Sequence, residues 1–308
     1  MPAPRNACFA ATALLLLTGA AWGFEVPGEA VINVPPDPTP SVLTAGQTLN
    51  LSGELYIDLD DTLVAQSGSV VNFLDGSHIE GGGYLFAEAG SVANLYGGTL
   101  YDYAGFAGEL NVFGGGYFGY QASNTDQVLI AGGDNSVIFD NVGARMTGGE
   151  IYLIAGNGST FEMQGGALKG IESYDELIVN ITGGEILGGG FLGSDTKVTI
   201  SGGLLADPRS GSFEYAGSGV LSLVGSDFAI DGLPLPRLAP GEAIEIPQRG
   251  VELTATLQDG SPFTYPLNWP DQTYRVVGGV PTPGGLALLG PAALFAMRRS
   301  FGRERAAP

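Results

Sequence analysis

The chain has 308 residues, 51 of them glycine, and carries 32 Asp+Glu against 12 Lys+Arg, a formal net charge of −20. Glycine in this amount without a Gly-X-Y period excludes collagen, and 44 % hydrophobic against 14 % charged residues excludes a disordered chain. Binding to nucleic acid is excluded as well, because that affinity comes from Lys and Arg displacing counterions.

From the N-terminus, Arg5 precedes an apolar run from Ala10 to Leu17, and small residues follow up to Ala21-Trp22-Gly23. A basic start, a short apolar stretch and small residues at −3 and −1, Ala21 and Gly23, describe a secretory signal peptide over 1–23 cleaved after Gly23, with Ala20 or Ala21 as alternative cleavage points. Cys8, the one cysteine, lies inside that segment, so the exported body has neither a disulfide framework nor a thiolate metal site. His78 is the one histidine, which removes histidine-rich zinc sites. Residues 24–72 read as an entry segment and cap, with an irregular first coil and a lid in Val31 to Val71. They hold the run Asp58, Asp60 and Asp61, the oxygen ligands available to Ca²⁺, for which a solvated turn is the alternative. No other cofactor is expected.

The stretch 73–208 is a repeat. Gly-Gly pairs begin at Gly81, Gly97, Gly114, Gly132, Gly148, Gly165, Gly183 and Gly202, in steps of 16, 17, 18, 16, 17, 18 and 19 residues. Alternating apolar residues lead into each pair, as in Ile178-Val-Asn-Ile-Thr-Gly-Gly-Glu-Ile186 and Val198-Thr-Ile-Ser-Gly-Gly-Leu-Leu205. Period two marks strands with one face inward, and a Gly pair between short strands marks a corner. Gly156-Asn-Gly-Ser159 and Gly193-Ser-Asp195 supply further corners. The spacing predicts an all-β chain: a parallel β-solenoid of coils of about 17 residues, stacked at about 4.8 Å per coil.

Right-handed β-helices include enzymes that act on polysaccharides, so paired carboxylates matter. Asp134, Asp140 and Glu150, with Arg145 between them, are the set that successive coils would bring to one side. Only Arg145, Lys169 and Lys197 are basic in the repeat, and the even coil lengths leave no long loops to wall a catalytic groove. Tyr96, Tyr101, Tyr103, Tyr117 and Tyr120 form an aromatic zone, read either as a sugar-stacking face or as stacking between coils.

After Asp207-Pro208 the pattern changes. Val220 to Tyr274 holds short strands and the hairpin signal Asp259-Gly260-Ser261-Pro262, so 209–277 reads as a small β cap. The end, 280–308, has three parts: Val280-Pro281-Thr282-Pro283, an apolar stretch from Leu286 to Met297, and Arg298-Arg299. Arginines behind a helix-length apolar segment hold that end on the cytoplasmic side of a membrane. This arrangement resembles the PEP-CTERM sorting signal of Gram-negative bacteria. Pro281, Thr282 and Pro283 stand at the Pro-Glu-Pro motif, with Thr in place of Glu, and Arg298 and Arg299 stand at the basic cluster. The resemblance implies recognition and cleavage by an exosortase-like enzyme after transient membrane insertion. The cap also resembles the segment that precedes the signal in that family.

Together these features predict an exported, structural or adhesive protein of the outer envelope, cell surface or exopolysaccharide matrix, without catalytic residues. The alternative is a polysaccharide lyase or hydrolase built on the same solenoid.

Overall fold

The computed structural model describes residues 31–35, 37, 39–52, 54–56, 62–80, 84–101, 104–125, 127–156, 158–205, 213–215, 219–268 and 272–279. All 29 elements among them are β-strands. The predicted signal peptide with Ala21 and Gly23, the Asp58, Asp60 and Asp61 cluster, Tyr103, and the sorting signal with Pro281, Thr282, Pro283, Arg298 and Arg299 lie outside the described residues.

The strands form a β-solenoid. Each coil returns to pair in parallel with the one before, and the rungs make three parallel sheets. The first sheet runs Val31–Val34, Thr48–Leu51, Val70–Phe73, Val92–Leu95, Glu109–Val112, Val128–Ile130, Gly143–Met146 and Ser159–Met163. It continues through the first halves of Leu177–Ile186, Lys197–Leu205 and Val220–Ile230. The second sheet stacks Glu54–Tyr56, His78–Glu80 and Thr99–Tyr101 on the strands that begin at Gly116, Asp134 and Glu150. The third stacks Val42–Leu43, Thr62–Ala65, Tyr84–Ala87 and Ala104–Phe106 on the later parts of those strands and ends at Phe213–Tyr215.

Alternation decides which residues enter the core. On the first sheet one inward column reads Leu49, Val71, Ala93, Leu110, Val128, Ala144, Phe161, Val179 and Val198, all buried. On the third sheet Ala87, Phe106, Ala122, Phe139 and Ala155 stack rung upon rung. Large side chains fill the space left by small ones, which is how a narrow coil reaches interior packing density. Each fully buried Phe or Leu contributes about 1.5–3 kcal/mol. No single coil encloses this core, so stability comes from stacking neighbours.

The Gly-Gly corners from Gly97 onward turn the chain from the first sheet to the second; both glycines lie close against the previous coil, and the second also supplies positive φ. A Cβ on Gly132 would lie 2.0 Å from the Phe113 carbonyl oxygen of the previous coil, so the first glycine permits close stacking. Gly133 sits at φ 81° and supplies the left-handed turn. The pair at Gly81 is an exception. In sequence it falls between His78–Glu80 and Tyr84–Ala87, and it lies outside the described residues. In that coil the matching corner is Asp75-Gly76, with Gly76 at φ 81° and Asp75 Cα 2.9 Å from where a Gly97 Cβ would be.

Two further differences follow from the register. Stacking begins at Val31, before residue 73, and the steps from Thr48 to Val70 and from Val70 to Val92 are 22 residues. These longer early coils have no Gly-Gly pair at this corner, so they lie outside the 16–19-residue spacing of the pairs.

The far end is closed by antiparallel strands. Thr273–Gly278 adds a last parallel rung on Val220–Ile230, and Ala243–Ile246 pairs antiparallel along it. The second half of Val220–Ile230 pairs with Val251–Leu257, which forms a hairpin with Pro262–Leu267. Its turn is the predicted one: Gly260 has φ 91°, and its N–H donates to the Leu257 carbonyl. Covering a parallel edge in this way removes a template for aggregation.

Candidate functional site

The residues singled out for polysaccharide chemistry do not meet. Asp134 and Glu150 are register partners on the second sheet. Arg145 stands on the first sheet, between Leu129 and Glu162, and Asp140 ends a rung of the third sheet. A corner separates each from the next, so the expected constellation of Asp134, Asp140, Glu150 and Arg145 is spread over three faces. Asp134 and Glu150 are instead bridged by Lys169, whose Nζ lies 2.8 Å from Asp134 Oδ1 and 2.6 Å from Glu150 Oε2. Hydrogen bonds to Asp134 and then Glu150 raise the Lys169 pKa above its ordinary value. That is opposite to what a proton-abstracting base requires.

The aromatic zone divides. Tyr117 and Tyr120 are core residues: both are buried, their rings meet edge to face, and Tyr120 packs in the same way on Phe106. Desolvation raises both hydroxyl pKa values. Tyr117 donates to the Gly97 carbonyl, whereas the Tyr120 hydroxyl is without a partner among the described residues. Tyr96 faces outward instead. It is 50 % exposed and stacks on Phe113, itself 42 % exposed, with centroids 5.1 Å apart and planes 11° from parallel. Tyr101 ends a strand of the second sheet. His78 begins the strand paired between Glu54 and Thr99.

The outward face of the first sheet carries the main polar feature, which the spacing of glycines does not reveal. Asn33, Asn50, Asn72, Asn94 and Asn111 occupy one column. Each amide donates to the preceding amide oxygen, at 2.8, 2.8, 2.9 and 3.1 Å along the column. Asn111 also donates to Glu109 Oε1 at 2.8 Å. The signal was present in sequence as an Asn between two apolar residues in Leu49-Asn-Leu51, Val71-Asn-Phe73, Ala93-Asn-Leu95 and Leu110-Asn-Val112.

Beyond Asn111 the ladder stops and the same column reads Leu129, Arg145, Glu162 and Asn180. Here the face opens into a shallow hollow of about 560 Å³, lined by Glu109, Asn111, Gln127, Leu129, Gly143, Arg145, Thr160 and Glu162. The hollow forms because Gly143 presents no side chain between Gln127 and Thr160. Arg145 Nη2 donates to Gln164 Oε1 at 2.6 Å and holds one wall. Glu109 and Glu162 are three rungs apart, roughly 14 Å along the axis at ~4.8 Å per rung. Glycoside hydrolysis needs its two carboxyl groups within about 5–10 Å, and the backbone positions of this pair are further apart than that.

Among the described residues there is no group of three His, Cys, Asp or Glu placed to hold a metal ion, and no helix long and apolar enough to cross a membrane. No family model, curated protein or solved structure matches the chain.

Proposed function

We propose that this chain is an exported structural or adhesive β-solenoid protein of the bacterial surface or exopolysaccharide matrix. In this reading the N-terminal signal directs export through the inner membrane, and an exosortase-like enzyme processes the PEP-CTERM-like end. The observation that carries the proposal is the long flat outer face of the first sheet, with its hydrogen-bonded asparagine column and polar hollow on a strongly acidic rod. Such a face offers repeated contacts to an extended partner.

The hollow also gives the enzyme reading one argument, and a single experiment separates the two. The full chain would be produced in a Gram-negative host that carries an exosortase-type peptidase, and recovered by fractionation. Material from the matrix fraction would then be incubated with acidic and neutral polysaccharides. Recovery in the outer fractions with polymer lengths unchanged supports the structural reading; reproducible depolymerisation would sink it in favour of the enzyme.

A further inference from the structure

We infer that the outer face of the first sheet is a binding site for a neutral glycan chain lying along the solenoid axis, with the stacked Tyr96–Phe113 pair as its aromatic platform. The inference deepens the proposed function by naming a partner class, and rests on that reading only for where such a glycan is met.

Shape is the first argument. The hollow at Arg145 is one part of a longer furrow. It shares Glu109 and Gln127 with a hollow reaching back to Gly90, and Gly143 and Thr160 with one at the Asn124 and Asn141 corner. It shares Glu162 with another that extends to Asn180 and Ser201. From the Val92 rung to the Lys197 rung the register takes six steps, about 29 Å at ~4.8 Å each. An open furrow of that length suits an extended polymer better than a compact metabolite, for which pockets are concave and mostly apolar.

Chemistry is the second. Gln127, Thr160, Gln164 and Asn180 bring amides and a hydroxyl to the furrow, groups that both donate and accept, as sugar hydroxyls do. Tyr96 and Phe113 directly follow Leu95 and Val112 and stand beside the furrow on the same outward face; their exposed rings stack parallel on each other, and the outer faces of that stack offer flat apolar surface to the C–H face of a pyranose. Charge selects among glycans. Arg145 lies between Glu109 and Glu162 on a chain of net charge −20, so a polyuronate would be repelled over most of the furrow.

Titration calorimetry on the purified full-length protein tests this. The probes are cellohexaose, laminarihexaose, maltohexaose and mannohexaose, the corresponding disaccharides, and a guluronate hexamer. At least one neutral hexasaccharide should bind about tenfold tighter than its disaccharide, a gain of ~1.4 kcal/mol, because added units reach further rungs. Replacing both Tyr96→Ala and Phe113→Ala should weaken it about tenfold, and so should Arg145→Ala, with the urea midpoint of Arg145→Ala unchanged. If the aromatic double variant fails to fold, Gln127→Ala at an exposed position replaces it. Absence of hexasaccharide binding, preference for guluronate, or affinity unchanged in these variants would overturn the inference. A protein that reaches the matrix and binds no glycan loses this inference alone; one that binds glycan and stays in the cytoplasm loses the proposed function alone.

Discussion

The backbone N–H of Gly203 donates to Oδ2 of Asp259 at 2.8 Å, joining the last Gly-Gly corner of the solenoid to the tip of the C-terminal hairpin. The other carboxylate oxygen of Asp259 accepts from the Ser261 N–H at 2.9 Å and from the Ser261 hydroxyl. One side chain thus shapes the hairpin turn and docks it on the stack. Asp259→Ala should lower unfolding free energy by about 1 kcal/mol, the order for a hydrogen bond to an exposed charge. In hydrogen exchange, protection should fall first in Val251–Leu257 and Pro262–Leu267 and remain in the central coils. Uniform loss along the rod would contradict this docking role.

The corner glycines give a second prediction, because two positions separate conformational strain from steric contact. Gly76 has φ 81° and open space where a Cβ would point, so Gly76→Ala should cost only the left-handed penalty, about 1–2 kcal/mol. At Gly132 a Cβ would meet the Phe113 carbonyl oxygen at 2.0 Å, so Gly132→Ala forces two coils apart and should cost more than about 3 kcal/mol. Equal urea midpoints for the two variants would refute the close carbonyl approach at Gly132 as a stacking constraint.

The buried tyrosines should respond in opposite directions. Tyr117 donates to a carbonyl, so Tyr117→Phe leaves that acceptor short and should cost about 1 kcal/mol. Tyr120 buries a hydroxyl without a partner among the described residues, so Tyr120→Phe should gain about 1 kcal/mol. Thermal unfolding of the pair reads this directly, and a shift of the same sign in both would show that the Tyr120 hydroxyl is satisfied.

A pH dependence follows from Tyr152, which stands in register with Tyr101 at the end of the second sheet. Its hydroxyl donates to Glu172, and this bond, with smaller help from desolvation, pushes its pKa up to about 12 from an ordinary 10.0. A group whose folded pKa lies above its unfolded value contributes fully below the unfolded pKa and loses that contribution as pH rises through the folded one. The stability difference between the parent chain and Tyr152→Phe should therefore be constant up to about pH 10 and vanish by about pH 12. A difference that persists above that range would show that Tyr152 acts through packing alone.

The sequence made the corners legible because only glycine satisfies both demands made there, close carbonyl approach and positive φ. Asp75-Gly76 meets the second demand without a glycine pair, and so the 22-residue coils before Val92 were hidden. The face each charged residue occupies was harder to read. Alternation holds within a strand, but a corner or a bulge resets it. The register shifts between Phe118 and Tyr120 and again between Ile151 and Tyr152. Asp134 and Glu150 were therefore correctly associated, while Arg145 and Asp140 belong to other faces. The furrow was not legible at all, since it depends on a missing side chain at Gly143 aligning across coils with Gln127 and Thr160.

The most direct test of the account is the intact mass of the protein recovered from the outer fraction of a Gram-negative host that carries an exosortase-type peptidase. Cleavage behind Gly23 and at the PEP-CTERM-like end should leave a chain that begins at Phe24 and lacks Arg298 and Arg299. A chain retaining both ends, or one found only with the cytoplasmic or inner-membrane fraction, would contradict it.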